Sequence, residues 1–244
     1  MRALSASELL NIWERGLTQQ PIQRTLMLLA AACPEMSADT LAELSIGERD
    51  ARLLTLRERT FGPELVSVAA CPGCGERLEL TFNVTDIQGL SEAKPDEALS
   101  LTIADYEVSF RLPNSRDLAA VSPSEEVAEA RRLLLLRCLL TVNHNGKEVS
   151  DNELPAEVVE AVVQQMAQVD PQGDVYLSLV CPACKHHWQA PFDIVTFFWT
   201  EIDAWAYRIM REVHTLASAY GWREADIFAM SPSRRQFYLT MVSG

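Results

Sequence analysis

Two short cysteine turns, Cys71-Pro72-Gly73-Cys74 and Cys181-Pro182-Ala183-Cys184, constrain this chain more than any other feature. A Cys-x-x-Cys turn aims two thiolates at one point, and a tetrahedral Zn²⁺ needs two such turns facing each other. Four of the six cysteines fall in this pattern. Each turn lies between segments that read as strands. Leu65–Ala69 precedes the first and the alternating run Glu76–Phe82 follows it; Asp174–Val180 and His187–Phe192 flank the second. Strand, turn and strand, occurring twice, is the plan of a zinc ribbon. Here the ribbon is split, because 106 residues separate Cys74 from Cys181, against the usual spacing of about 15–20.

Other fates for paired thiols are open at this level. A redox dithiol opens a helix in a βαβ unit, and neither turn here does so. Two disulfides would suit a secreted chain, and nothing in the sequence marks it as one. The best assignment is one structural Zn²⁺ per chain on Cys71, Cys74, Cys181 and Cys184. His186 and His187 follow the second turn closely enough to be rival ligands, but four thiols already complete the set and the histidines read as surface residues. Cys33 and Cys138 sit in apolar runs, where a free thiol behaves as a small buried hydrophobe.

A net charge of −13 bears on partners. A ribbon that grips DNA or RNA needs a basic face to neutralise phosphates. The densest basic spots here are only Arg131-Arg132 and Arg234-Arg235, so nucleic-acid binding is disfavoured. The N-terminus shows no apolar signal-peptide core, and no apolar run is long enough to span a bilayer. With free thiols and a thiolate–metal site, the expected location is a cytoplasm.

The fold class that follows is α+β: a split zinc ribbon with an α+β insertion, flanked by N-terminal and C-terminal helices. Residues 1–62 read as three or four short helices. Ser5 and Glu8 form a capping box before the first, and Ser45 and Glu48 form a second. Asp50, Arg52, Arg57, Glu58 and Arg59 are expected on a solvated face. The ribbon occupies 63–195, with its insertion at about 89–173. Within the insertion, a polar stretch 91–97 leads to strands at Leu99–Ile103 and Tyr106–Leu112. Pro113-Asn114 then begins a helical segment, and Ser124-Glu125-Glu126 caps a helix running to about Leu140. A turn at Asn143–Gly146 precedes a helix over Leu154–Val169 with Val158, Val159, Val162, Val163 and Met166 inward. The C-terminal helices fill 196–244. The longest helix starts near Ile194 and carries Phe198, Ile202, Trp205, Ile209, Val213, Leu216 and Tyr220 at three- and four-residue spacing. Its aromatic density fits either a central packing role or a partly exposed face for a protein partner.

No Gly-rich phosphate loop, His-Glu-x-x-His or Gly-x-Ser-x-Gly is present. A zinc closed by four thiolates has no open position for water or substrate. No catalytic residues are assigned, and the chain reads as a non-enzyme.

The run Leu44–Leu54 resembles the N-terminal region of the T4-type phage baseplate family, and the two ribbon halves and the tail Ala219–Ile227 fit it too. Members of that family occur with contractile tails and related contractile injection systems, as baseplate hub or hub-assembly proteins. The resemblance implies an assembly role, as a chaperone or minor structural component, with other baseplate and hub proteins as partners. The demand for a partner singles out Trp199, Trp222 and Tyr238 as candidate docking residues. On the residues alone, the alternative is a zinc-ribbon adaptor in a transcription or nucleic-acid-processing complex.

Overall fold

The computed structural model of the chain describes residues 1–87, 98–122, 126–150 and 154–243. In chain order these hold α1 (Ala6–Gly16), α2 (Pro21–Ala32), α3 (Ala38–Glu43), α4 (Ile46–Phe61), β1 (Glu64–Ala70), β2 (Arg77–Asn83) and α5 (Val84–Ile87). Then come β3 (Leu99–Ile103), β4 (Tyr106–Phe110), α6 (Ser115–Val121), α7 (Val127–Cys138), β5 (Leu139–His144), β6 (Lys147–Glu148) and α8 (Ala156–Val169). A single 3₁₀ turn, Pro171–Gly173, leads to β7 (Val175–Val180), β8 (His187–Phe192), α9 (Ile194–Tyr220), α10 (Glu224–Phe228) and α11 (Pro232–Ser243). The mixture of helices and antiparallel strands is α+β, as the sequence implies. The chain packs as two units, 1–34 with 195–244, and 35–194.

In the first unit, Ser5 caps α1 by accepting from the Glu8 N–H, and the Glu8 carboxylate accepts from the Ser5 N–H. The apolar stripe of α9 buries Phe198, Ile202, Ile209 and Leu216, with Ala206 completing it. Trp13 on α1 turns its indole N–H to Asp203 (2.9 Å) and sets its ring edge-on to Tyr207. A polar atom on a buried ring needs such a partner.

In the second unit, α4 is tied down at its first turn. The opening N–H groups of a helix have no partner within it, and here three segments supply partners. Ile46 N–H donates to the Pro113 carbonyl (3.1 Å), Gly47 N–H to Asp170 Oδ2 (2.8 Å) and Glu48 N–H to Ser45 Oγ (3.1 Å). Only half of the expected capping box forms, because the Glu48 carboxylate pairs with Arg52 one turn on (2.6 Å). A Cβ on Gly47 would overlap the Asp170 carboxylate and reach within 2.8 Å of the Gly173 nitrogen. Glycine is therefore required here by close approach.

The charged face of α4 departs from expectation. Asp50 and Arg57 are buried, at 8% and 2% exposure, as is Arg49 at 4%. The reason is pairing: Arg49 Nε donates to Asp50 Oδ1 (2.7 Å), and Arg57 donates to the Gly62 carbonyl at the end of its own helix (2.7 Å). Burial pushes the Asp50 carboxyl up, and the Arg49 cation only partly opposes it.

The insertion forms a four-stranded sheet in the order β3-β4-β5-β6, with its core at Val108, Phe110, Val142, Val158 and Val162. The run of leucines before residue 140 is shorter as a helix than expected. α7 stops at Cys138, and Leu139–His144 becomes β5, pairing with β4 through an irregularity at Ser109/Phe110. Val163 is exposed, contrary to its expected inward position, because Val158 and Val162 already define the buried side of α8. The stretch 91–97 and the residues Ser124 and Glu125 lie outside the described residues; α7 begins after Glu126, whose side chain makes no cap bond. Asp117, 1% exposed, accepts from Arg111 (2.9 Å), Arg137 (3.0 Å) and the Asn114 N–H (3.1 Å).

Two outcomes follow. Gly47→Ala should destabilise the chain by about 1–3 kcal/mol in a denaturant titration, the cost of forcing atoms into a filled space. At Asp117 burial acts upward, but Arg111, the Asn114 N–H and Arg137 outweigh it and hold the carboxyl below its ordinary value. A depressed folded-state pKa stabilises the fold above the unfolded pKa, and that gain is lost as pH falls through the folded one. Asp117→Asn should therefore cost about 2 kcal/mol at neutral pH, the scale of hydrogen bonds to a charged group. The gap from the parent should close below about pH 4. A gap that stays constant down to low pH would contradict this role.

Candidate metal centre

The two cysteine turns sit at equivalent ends of two hairpins. In the first, β1 and β2 pair from Glu64↔Asn83 to Ala70↔Arg77, leaving 71–76 as the connection. In the second, β7 and β8 pair from Val175↔Phe192 to Val180↔His187, leaving 181–186. The turns close in the same way. Cys71 N–H donates to the Glu76 carbonyl and Gly75 N–H to the Cys71 carbonyl, both at 2.8 Å. Cys181 N–H donates to the His186 carbonyl (2.9 Å) and Lys185 N–H to the Cys181 carbonyl (3.0 Å). The residue after each second cysteine has positive φ, +77° at Gly75 and +62° at Lys185. Glycine takes that conformation freely, whereas a lysine bears some strain to keep the turn.

All four sulfurs lie within 4.8 Å of one another. The close pairs run between the hairpins: Cys71 Sγ to Cys184 Sγ is 3.6 Å, and Cys74 Sγ to Cys181 Sγ is 3.6 Å. These distances are far beyond the ~2.05 Å of a disulfide. They match the edge of a tetrahedron with metal–sulfur bonds of about 2.3 Å, which is about 3.8 Å. The first cysteine of each turn is buried and the second exposed. Beneath them pack Leu78, Leu80 and Trp188. At Gly73 a Cβ would come within 3.2 Å of the His186 ring and 3.6 Å of Cys184 Sγ, so a small residue lets the second turn approach.

The electrostatics favour a cation. The N–H groups of Cys184 and Ala183 point at the Cys181 sulfur and bring its thiol down to about 7. At Cys74 the Glu76 N–H acts downward, but Cys184, burial, Cys181 and Cys71 together lift the thiol to about 12. One thiolate forms readily, while Cys74 and Cys184, both pushed upward, resist a second negative charge. A divalent ion at the centre removes that repulsion and deprotonates its ligands. The four cysteines could thus hold a metal ion, and as a closed four-sulfur set they leave no position for a reacting water.

His186 and His187 are exposed and outside this cluster; the His186 ring stacks on Trp188 at 6.1 Å. Cys33 and Cys138 are buried elsewhere, and burial pushes the Cys138 thiol up to about 12. The three candidate docking residues do not share one environment. Trp199 is half-buried; it packs against Gly16, where any Cβ would strike its ring, and lies under the Arg24 guanidinium (4.6 Å). Trp222 stacks on Tyr220 (4.4 Å) and meets Tyr238 edge-on (4.8 Å), so those two share a cluster. Phe237 and Met241, one turn apart on α11, are each 61% exposed beside it. Sequence reasoning missed the clamp of Asp170 on Gly47. Its only local signal is a glycine in the first turn of a helix.

No helix among the described residues is long and apolar enough to cross a membrane. No curated protein and no solved structure matches the chain. The family model described as T4 bacteriophage base plate protein matches residues 6–199, a span that includes both cysteine turns and both hairpins. The chain belongs to the T4 bacteriophage base plate protein family.

Proposed function

We propose that this chain is a non-enzymatic component of baseplate assembly, an assembly chaperone or a minor structural part of a contractile tail or contractile injection system. One Zn²⁺ on Cys71, Cys74, Cys181 and Cys184 closes its split ribbon. The observation that carries the reading is the family match over 6–199, which encloses the four converging sulfurs. When bound, zinc supplies charge neutralisation and a rigid four-way link. The chain's own residues do the rest: Cys184 and Ala183 N–H groups support the Cys181 thiolate, and Leu78, Leu80 and Trp188 keep the inner side dry. Its partners are other baseplate and hub proteins. The net charge of −13 weighs against the alternative of a nucleic-acid adaptor. Assembly would take place in the host cytoplasm.

The docking face we assign centres on Trp222 and Tyr238, extended by the exposed Phe237 and Met241 of α11. Trp199 contributes at its accessible edge, with its ring anchored by Gly16 and Arg24.

Elemental analysis of the purified chain should find about one zinc, as a four-thiolate structural site requires. Cys71→Ser or Cys181→Ser should lose the metal and destabilise the hairpins by several kcal/mol, on the scale of structural zinc binding. Cys33→Ala and Cys138→Ala should keep the metal. Equal metal loss in all four variants would show that the ligands are others. Tagged protein from cells assembling particles should recover tube, sheath or hub proteins. Trp222→Ala should lower that recovery while keeping the parent melting temperature, since an interface anchor commonly costs ~2 kcal/mol or more of binding. Early melting, or undiminished recovery, would rule out the face.

A further inference from the structure

Each hairpin is a sheet of two strands, and neither joins another sheet among the described residues. β2 and β7 border one groove of about 720 Å³, lined by residues 79–82 of β2 and 175–179 of β7, with Asp174 just ahead of β7. Side chains of a strand alternate between faces, so a surface touching one face would meet every second residue. An unbroken run from each strand means that the main-chain edges themselves border the groove. Unpaired strand edges are templates for pairing with another chain.

The groove has a direction and a charge. β2 leaves one cysteine turn and β7 enters the other; because the four sulfurs converge, the two strands run in opposite senses across the groove. An added strand would be antiparallel to one and parallel to the other, and both pairings are stable. Leu80, Phe82, Leu177 and Leu179 are half-buried and make an apolar floor, while Thr81 and Tyr176 are exposed at the rim. The charged groups lining it are Glu79, Asp86 and Asp174, with no Lys, Arg or His among them. Asp86 uses one oxygen to accept from the Asn83 N–H (2.8 Å).

We propose that this groove accepts an extended segment of a partner protein as an added strand between β2 and β7. Apolar side chains of that segment lie on the Leu80–Leu177 floor, and its alternate residues are Lys or Arg, answering Glu79, Asp86 and Asp174. Main-chain hydrogen bonds to two edges supply affinity, and the acid-lined rim selects the charge. The assignment goes beyond the baseplate reading, because it rests on hairpin geometry and groove charge alone.

The test uses the full, metal-loaded chain and three labelled short peptides: alternating lysine and valine, alternating glutamate and valine, and the lysine–valine peptide with central prolines. Lysine–valine should bind saturably and slow amide exchange in β2 and β7. The glutamate peptide should bind at least about tenfold more weakly, as opposed charge patterns do. The proline peptide should also fail, because it lacks the N–H donors of a ladder. The double variant Glu79→Lys, Asp174→Lys should reverse the charge preference and keep its metal. Equal binding of the lysine and proline peptides would reduce the effect to general attraction and overturn strand addition. Protection mapped away from β2 and β7 would overturn it as well. Slowed exchange at β2 and β7 that grows with protein concentration, without peptide, would assign the groove to a second copy instead.

Discussion

Four sulfurs drawn from turns more than a hundred residues apart occupy one small volume. Thiolates repel one another, and a two-stranded hairpin is marginal in water by itself. The apolar contact around the sulfurs is small, Leu78, Leu80 and Trp188 about two cysteines, with Phe82 of one hairpin meeting Phe192 of the other edge-on. A cation at the centre, which the four sulfurs could hold, would resolve both difficulties. It would convert repulsion into four bonds and close a loop whose entropic cost grows only slowly with length. A long insertion is therefore tolerated between the halves, and a four-stranded sheet of its own fills the interval.

The far ends of the hairpins are organised by α4. Its C-terminus passes through Gly62 into β1, and its N-terminus is clamped by Asp170, just before the 3₁₀ turn that feeds β7. One helix of sixteen residues thus sets the starting points of both halves of the site. At about 1.5 Å per residue it is a strut of about 24 Å. The Gly47–Asp170 contact and the sulfur cluster restrain the second hairpin from opposite ends. Between those restraints β2 and β7 face a common groove, and neither outer edge pairs with another strand among the described residues.

Much of this was legible from residue order. The cysteine turns, the flanking strands, the Ser5 capping box and most of the buried stripe of α9 follow local rules of spacing and stand where those rules put them, although Tyr220 at the end of that stripe is exposed. What escaped depends on contacts made across the chain. Asp50 and Arg57 look like a wet helix face, yet folding buries both, with Arg49, itself beside Ser115, pairing with Asp50 and the Gly62 carbonyl accepting from Arg57. β5 hid in a leucine run that suits helix and strand equally, and pairing with β4 decided it. Asp170 reads as a helix stop; its bond to Gly47 spans 123 residues and leaves no pattern in sequence. The packing of the Trp199 ring over Gly16 cannot be inferred from either residue alone.

Membership of the baseplate family and a closed four-sulfur cluster point the same way, toward a part whose work is to hold shape and meet partners. The central claim is that the cluster is a zinc tetrahedron joining the two hairpins. X-ray absorption at the zinc edge of the protein purified without added metal tests it most directly. Four sulfur scatterers at about 2.3 Å, with no nitrogen or oxygen in the shell, are the expected result. A shell containing nitrogen or oxygen, or metal–metal scattering from an iron–sulfur cluster, would contradict it.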